Sequence, residues 1–166
     1  MRKTILLLVT IFLLIQSHSF AADKIPEIPV SKQSGISFEK DINLKKTVLN
    51  FLYYESCDSS KERDYKGMYG LLSRNYLSEN FPHVNSALEY DKEMKDINEI
   101  YHLVYLMVEN VVFIKKDKVK IKVKFESGDE GVLQIMEEDI FFILENGLWK
   151  YEGVDIESSK VIETIE

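Results

Sequence analysis

The chain has 166 residues, 45% of them apolar, with 21 Lys+Arg against 28 Asp+Glu and a single Cys. That length suits one domain with a sizeable core, since such a chain buries about two-thirds of the surface it exposes when unfolded. One Cys excludes a disulfide framework and an all-Cys zinc site, and a net charge of −7 argues against a nucleic-acid binder, which needs a basic face.

Arg2 and Lys3 precede an apolar run from Ile5 to Ile15 that only Thr10 interrupts. Ser19-Phe20-Ala21 then sets small residues at the −3 and −1 positions of a cut after Ala21. This is the pattern of a secretory signal peptide over residues 1–21, and the run is too short to cross a bilayer, which takes about 20 apolar residues. The expected product is periplasmic or secreted, with no membrane span in its mature form. Cleavage leaves 19 basic against 28 acidic residues, a net charge of −9. Cys57 is read as a small buried apolar residue rather than a nucleophile.

Residues 22–36 hold Pro26, Pro29 and Gly35 and are read as an extended linker. A first helix is expected from Phe38 to Ser56, capped by Ser37, with apolar residues at three- and four-residue spacing. Ser59-Ser60-Lys61-Glu62 has the form of a capping box, so a second helix is expected to run through Tyr65, Met68, Tyr69, Leu72 and Tyr76. Gly67 and Gly70 inside it point to close backbone packing. Pro82 ends that segment, and Ser86-Ala87-Leu88-Glu89 opens a third helix carrying Tyr90, Met94 and Ile97.

The period then changes from 3.6 to 2. A strand is expected over Ile100 to Ile114, apolar on both parities and so covered on both faces. Lys116-Asp117 turns it. Lys118 to Phe125 alternates, with Val119, Ile121, Val123 and Phe125 inward and lysines outward. Residues 127–131 read as a loop, and Val132 to Glu145 as a strand bulged or bent near Glu137-Glu138-Asp139. Asn146-Gly147 signals a hairpin, Leu148 to Ile156 returns, and the tail over residues 158–166 is expected to fray. The domain therefore spans residues 37–157.

Helices followed by an antiparallel meander imply an α+β layer arrangement. The chain resembles the nuclear transport factor two-like superfamily, which includes ketosteroid isomerase and SnoaL-type cyclases. The resemblance rests on the long first helix, on Asp64-Tyr65, Tyr69-Gly70-Leu71-Leu72-Ser73 and Tyr76, and on Glu145-Asn146-Gly147-Leu148-Trp149-Lys150. It implies three N-terminal helices on a curved antiparallel sheet, a cone-shaped, cystatin-like layout enclosing a pocket. It also implies that Trp149 packs between sheet and helices. Catalytic members of the superfamily place an acid or base in the cone opposite a Tyr or another donor.

The residues themselves offer few chemical groups. His102 shares a parity with Val104 and Leu106, and with Tyr105 it forms the acid-base candidate. A core histidine satisfied by one hydrogen bond is the competing reading. Tyr53, Tyr69, Tyr101, Tyr105 and Trp149 are candidates for binding a flat apolar ligand with one or two polar handles, or else for packing. Lys118, Lys120, Lys122 and Lys124 form a row that is either a docking stripe for an acidic partner or a solvated sheet face paired with neighbouring acids. Glu137-Glu138-Asp139 alternates faces and does not converge on a metal. No Gly-rich phosphate loop, HExxH, GxSxG or paired CxxC occurs.

The expected function is an exported, non-enzymatic binding domain with no cofactor and no metal. It would hold a small apolar ligand in the cone or a protein on the sheet face. Two alternatives stay open: a lyase or isomerase of ketosteroid isomerase type, and an envelope interaction or toxin-neutralising, immunity-like protein whose acidity suits a basic partner. Homodimerisation through the sheet is compatible with either.

Overall fold

A computed structural model describes residues 27–58, 61–97, 102–129 and 132–165. The signal-peptide pattern, Ser59-Ser60 of the capping box and Tyr101 lie outside the described residues. Among the described residues five helices precede a four-stranded sheet: α1 (Lys32–Glu39), α2 (Ile42–Glu55), α3 (Tyr65–Tyr69), α4 (Arg74–Asn80), α5 (Ala87–Ile97), β1 (His102–Lys115), β2 (Lys118–Asp129), β3 (Val132–Glu145) and β4 (Leu148–Ile165). The strands form an antiparallel meander in the order β1-β2-β3-β4. The fold is α+β. Among the described residues no helix is long and apolar enough to cross a membrane.

The expected linker is structured from Val30 onward. Val30 bridges Val108 in parallel, and Ser31 caps α1 by accepting from the Ser34 amide. The Ser31 hydroxyl also donates to the Glu109 carbonyl at 2.6 Å, so the segment is fastened to the edge of β1. Ser34 and Phe38 are buried.

The single helix expected over residues 38–56 is two. Asp41 breaks it, because its carboxylate satisfies the Leu44 amide at 2.9 Å while its own backbone is extended. An Asp offers the backbone that alternative wherever a tertiary contact also favours it. Here the contact is Trp149, whose Nε1 donates to Asp41 Oδ2 at 2.7 Å. Residues 65–76 likewise divide at Gly70 and Ser73 into α3 and α4, each with its own cap, Asp64 and Ser73. Gly67 packs closely: a β-carbon there would lie 3.0 Å from the Tyr54 ring. Gly70 is the C-cap of α3.

β2 presents Val119, Ile121, Val123 and Phe125 to the core, all buried, as strict alternation requires. β1 reaches the core differently. Register shifts after Tyr105 and Val108 make Tyr105, Val108 and Val111 all inward at a spacing of three. The apolar residues of both parities thus reflect two bulges, not cover on both faces. β4 continues to Ile165 opposite Leu133, where a frayed tail was expected, and residues 127–129 extend β2 beyond the expected strand end.

Candidate functional site

A cavity of about 390 Å³ opens between the inner face of the sheet and the helices. Its floor is apolar. Phe51 of α2 stacks on Tyr151 of β4, centroids 4.1 Å apart and planes 14° from parallel, and Tyr76 of α4 meets Tyr151 edge-on at 5.2 Å. Tyr65, Tyr90, Met68, Met94 and Met136 continue the wall.

Two of the three register shifts between β3 and β4 shape the far side. Gly153 has φ +146° at a register shift, a backbone region that L side chains rarely adopt. The extra residue there turns both Tyr151 and Val154 toward the cavity, which strict alternation forbids. The second irregularity lies beside Glu137 to Asp139, where the sequence placed a bulge, and the additional residues belong to β4.

Two carboxyl groups enter this apolar space. Glu55 stands one turn beyond Phe51 on the core stripe of α2, and Tyr105 donates its hydroxyl to Glu55 Oε2 at 2.7 Å. Burial raises the Glu55 pKa, while the Tyr105 hydrogen bond and the nearby Arg63 charge lower it in part. Glu138 shares the inward parity of Met136 and Ile140 on β3. Burial and the proximity of Glu55 push it up to about 7. Its hydrogen-bond partner among the described residues is the Ser159 hydroxyl, distant at 3.4 Å. Arg63 is the cation of the lining, and its Nε donates to the Glu55 carbonyl at 3.0 Å. Burial, followed by the Glu55 charge, raises the Tyr76, Tyr105 and Tyr151 pKa values, so these hydroxyls keep their protons.

The sequence-based candidates divide. Tyr105 lies in this site, whereas His102 does not face it. The odd residues Leu103 and Tyr105 point inward, so His102 sits on the outer face with Nε2 2.7 Å from Glu126 Oε1. The proposed His102–Tyr105 pair is therefore not formed. Tyr53 is exposed, its ring under the Lys61 ammonium at 4.0 Å. Tyr69 packs on Tyr90 behind the cavity wall, and Trp149 is buried against Phe113 and Asp41 away from the cavity.

The lysine row lies on the outer face among acids. Lys118 pairs with Glu152 at 2.7 Å, Lys120 with Asp139 at 2.7 Å, and Lys122 approaches Glu137 at 4.0 Å. Lys124 stands in register with Met107 on one side and Glu137 on the other. This is the paired, solvated face that was one of the two expectations for the row. Glu137 and Asp139 join it while Glu138 turns inward, so the acidic triplet is split between faces. Among the described residues no three His, Cys, Asp or Glu side chains converge as metal ligands.

Glu55, Glu138 and Arg63 were not among the sequence candidates. The available signal was a carboxylate at a core position: Glu55 follows Val48, Phe51 and Leu52 on one helical stripe, and Glu138 falls between Met136 and Ile140 at a period of two. No protein-family model and no curated protein sequence matches the chain.

Proposed function

We propose that this chain is an exported binding domain of the nuclear transport factor two-like layout, whose cavity holds a small, largely apolar ligand. The observation that carries the reading is the combination of a 390 Å³ space, aromatic floor and few polar groups. Ligand sites have this make-up: apolar walls for affinity and a small number of polar atoms to fix orientation. Helices on one face of an antiparallel meander support the layout, and the Arg2-Lys3 to Ala21 pattern supports export. The ion-paired lysines favour the cavity over the sheet face as the place of binding.

A specific observation favours a second reading, an acid-base enzyme. Glu138, held at about 7, exchanges a proton near neutrality, and the Tyr105–Glu55 pair supplies a hydrogen-bond donor and a charge partner beside it. In this reading Glu138 with Tyr105, rather than His102, carries the chemistry.

Untargeted mass spectrometry of small molecules released from protein purified from its native host tests the proposal. A bound molecule recovered in stoichiometric amount supports binding. Recovery of a protein partner with no small molecule would favour the interaction alternative instead.

A further inference from the structure

Of the charged side chains that line the cavity among the described residues, Glu138 has the weakest engagement, a single 3.4 Å hydrogen bond from Ser159. Glu55 is occupied: it accepts from Tyr105 at 2.7 Å and has the Arg63 charge nearby. Arg63 donates Nε to the Glu55 carbonyl. The titratable groups sharing the cavity with Glu138 among the described residues are Glu55 of α2, Arg63 ahead of α3, Tyr65 of α3, Tyr76 of α4, Tyr90 of α5, Tyr105 of β1 and Tyr151 of β4. With both carboxyls ionised, the lining among the described residues holds two negative charges against one positive. An anionic ligand meets that excess and gains no unengaged cation. A neutral ligand leaves Glu138 to stay protonated. A cation removes the excess, and the negative faces of the tyrosine rings attract it as well.

We propose that the ligand carries a protonated amine on an apolar body, the amine seated between Glu138 and the tyrosine rings and the body against Phe51 and Tyr151. This rests on the cavity being the binding site and adds the charge of the ligand. Binding such a cation favours ionised Glu138, so protein held near pH 6 releases a proton when the amine enters. Affinity for the amine rises as pH increases through 7, whereas affinity for a neutral analogue does not.

The test uses three probes with one body and different heads: 4-phenylbutylamine, 4-phenylbutanol and 4-phenylbutyrate. Each is titrated calorimetrically into mature protein at pH 6 and pH 8.5, the former in two buffers of different ionisation enthalpy. The expected order at pH 8.5 is amine, alcohol, carboxylate, with the amine ahead of the alcohol by about tenfold, as for a desolvated cation on carboxylate and rings. Glu138→Gln removes that preference while alcohol binding persists. Glu138→Gln also relieves a buried charge, so folding is not at risk. Glu137→Gln, on the opposite face of the same strand, changes nothing. Alcohol binding equal to or tighter than amine binding, or an amine preference that survives Glu138→Gln, overturns the charge assignment and leaves the cavity reading standing. Failure of all three probes to bind overturns both.

Discussion

Tyr105 and Glu55 meet at 2.7 Å across the cavity, a hydrogen bond between residues fifty apart in sequence that ties β1 to the end of α2. Tyr105→Phe keeps the ring and removes the donor, leaving a buried carboxylate without its partner. The expected cost is about 1–3 kcal/mol when Glu55 is charged. The bond favours the charged form, and more of this carboxyl is ionised at pH 9 than at pH 5, so the loss is larger at pH 9. Urea denaturation at both pH values measures it, and equal losses would show that Glu55 does not titrate against Tyr105.

Glu138 gives a second pH dependence with a definite sign. Its folded pKa of about 7 lies above the ordinary 4.5, so between those values the native state holds a proton that the unfolded chain has released. Stability from this group is full below about 4.5, falls as pH rises and is gone above about 7. The span amounts to about 1–2 kcal/mol once its partial contact with solvent is allowed for. Glu138→Gln flattens the curve of unfolding free energy against pH over this window. A slope unchanged by the substitution would mean that the carboxyl is not held protonated.

Asp41 serves two roles, capping α2 through Oδ1 and accepting from Trp149 through Oδ2. Trp149→Ala removes a buried ring and is expected to cost about 3–5 kcal/mol. Trp149→Phe keeps most of the packing, loses the N–H bond and costs about 1–2 kcal/mol. Chemical denaturation separates the two. Equal losses would place the whole effect in that bond.

The two faces of β2 respond to different degrees. Ile121 is fully buried, so Ile121→Lys buries an unpaired charge and abolishes cooperative melting. Lys120 pairs with the buried Asp139, so Lys120→Glu sets two carboxylates together and costs about 1–3 kcal/mol. Lys118→Gln breaks a pair with the more exposed Glu152 and costs under about 1 kcal/mol. A cooperative native-like melt of Ile121→Lys would reverse the assigned faces.

Much of the fold is legible in the chain because single strands and turns obey local rules. β2 alternates without a break, and Asn146-Gly147 adopts the positive φ values its hairpin needs. What was not legible depends on contacts distant in sequence. The break at Asp41 requires Trp149, the parity changes in β1 and β4 require their bulges, and the extension of β4 to Ile165 requires pairing with Leu133. The site was missed for a related reason. His102 is a candidate by residue type, but the side of the strand it occupies decides its role, and Leu103 and Tyr105 take the cavity side. Glu55 and Glu138 were visible as carboxylates on core stripes, which is the pattern that a polar group serving a cavity leaves in a sequence.

The space between sheet and helices is the proposed ligand site. Methionine methyl groups report on it directly: Met68, Met94 and Met136 line the cavity, while Met107 lies on the outer face. Protein comprising residues 22–166, labelled with carbon-13 at the methionine methyls and titrated with 4-phenylbutanol, provides the measurement. Saturable shifts are expected at Met68, Met94 and Met136 with Met107 unmoved, and their loss is expected when Val154→Trp fills the cavity. Shifts confined to Met107, or no saturable shift at the three lining methyls, would contradict it.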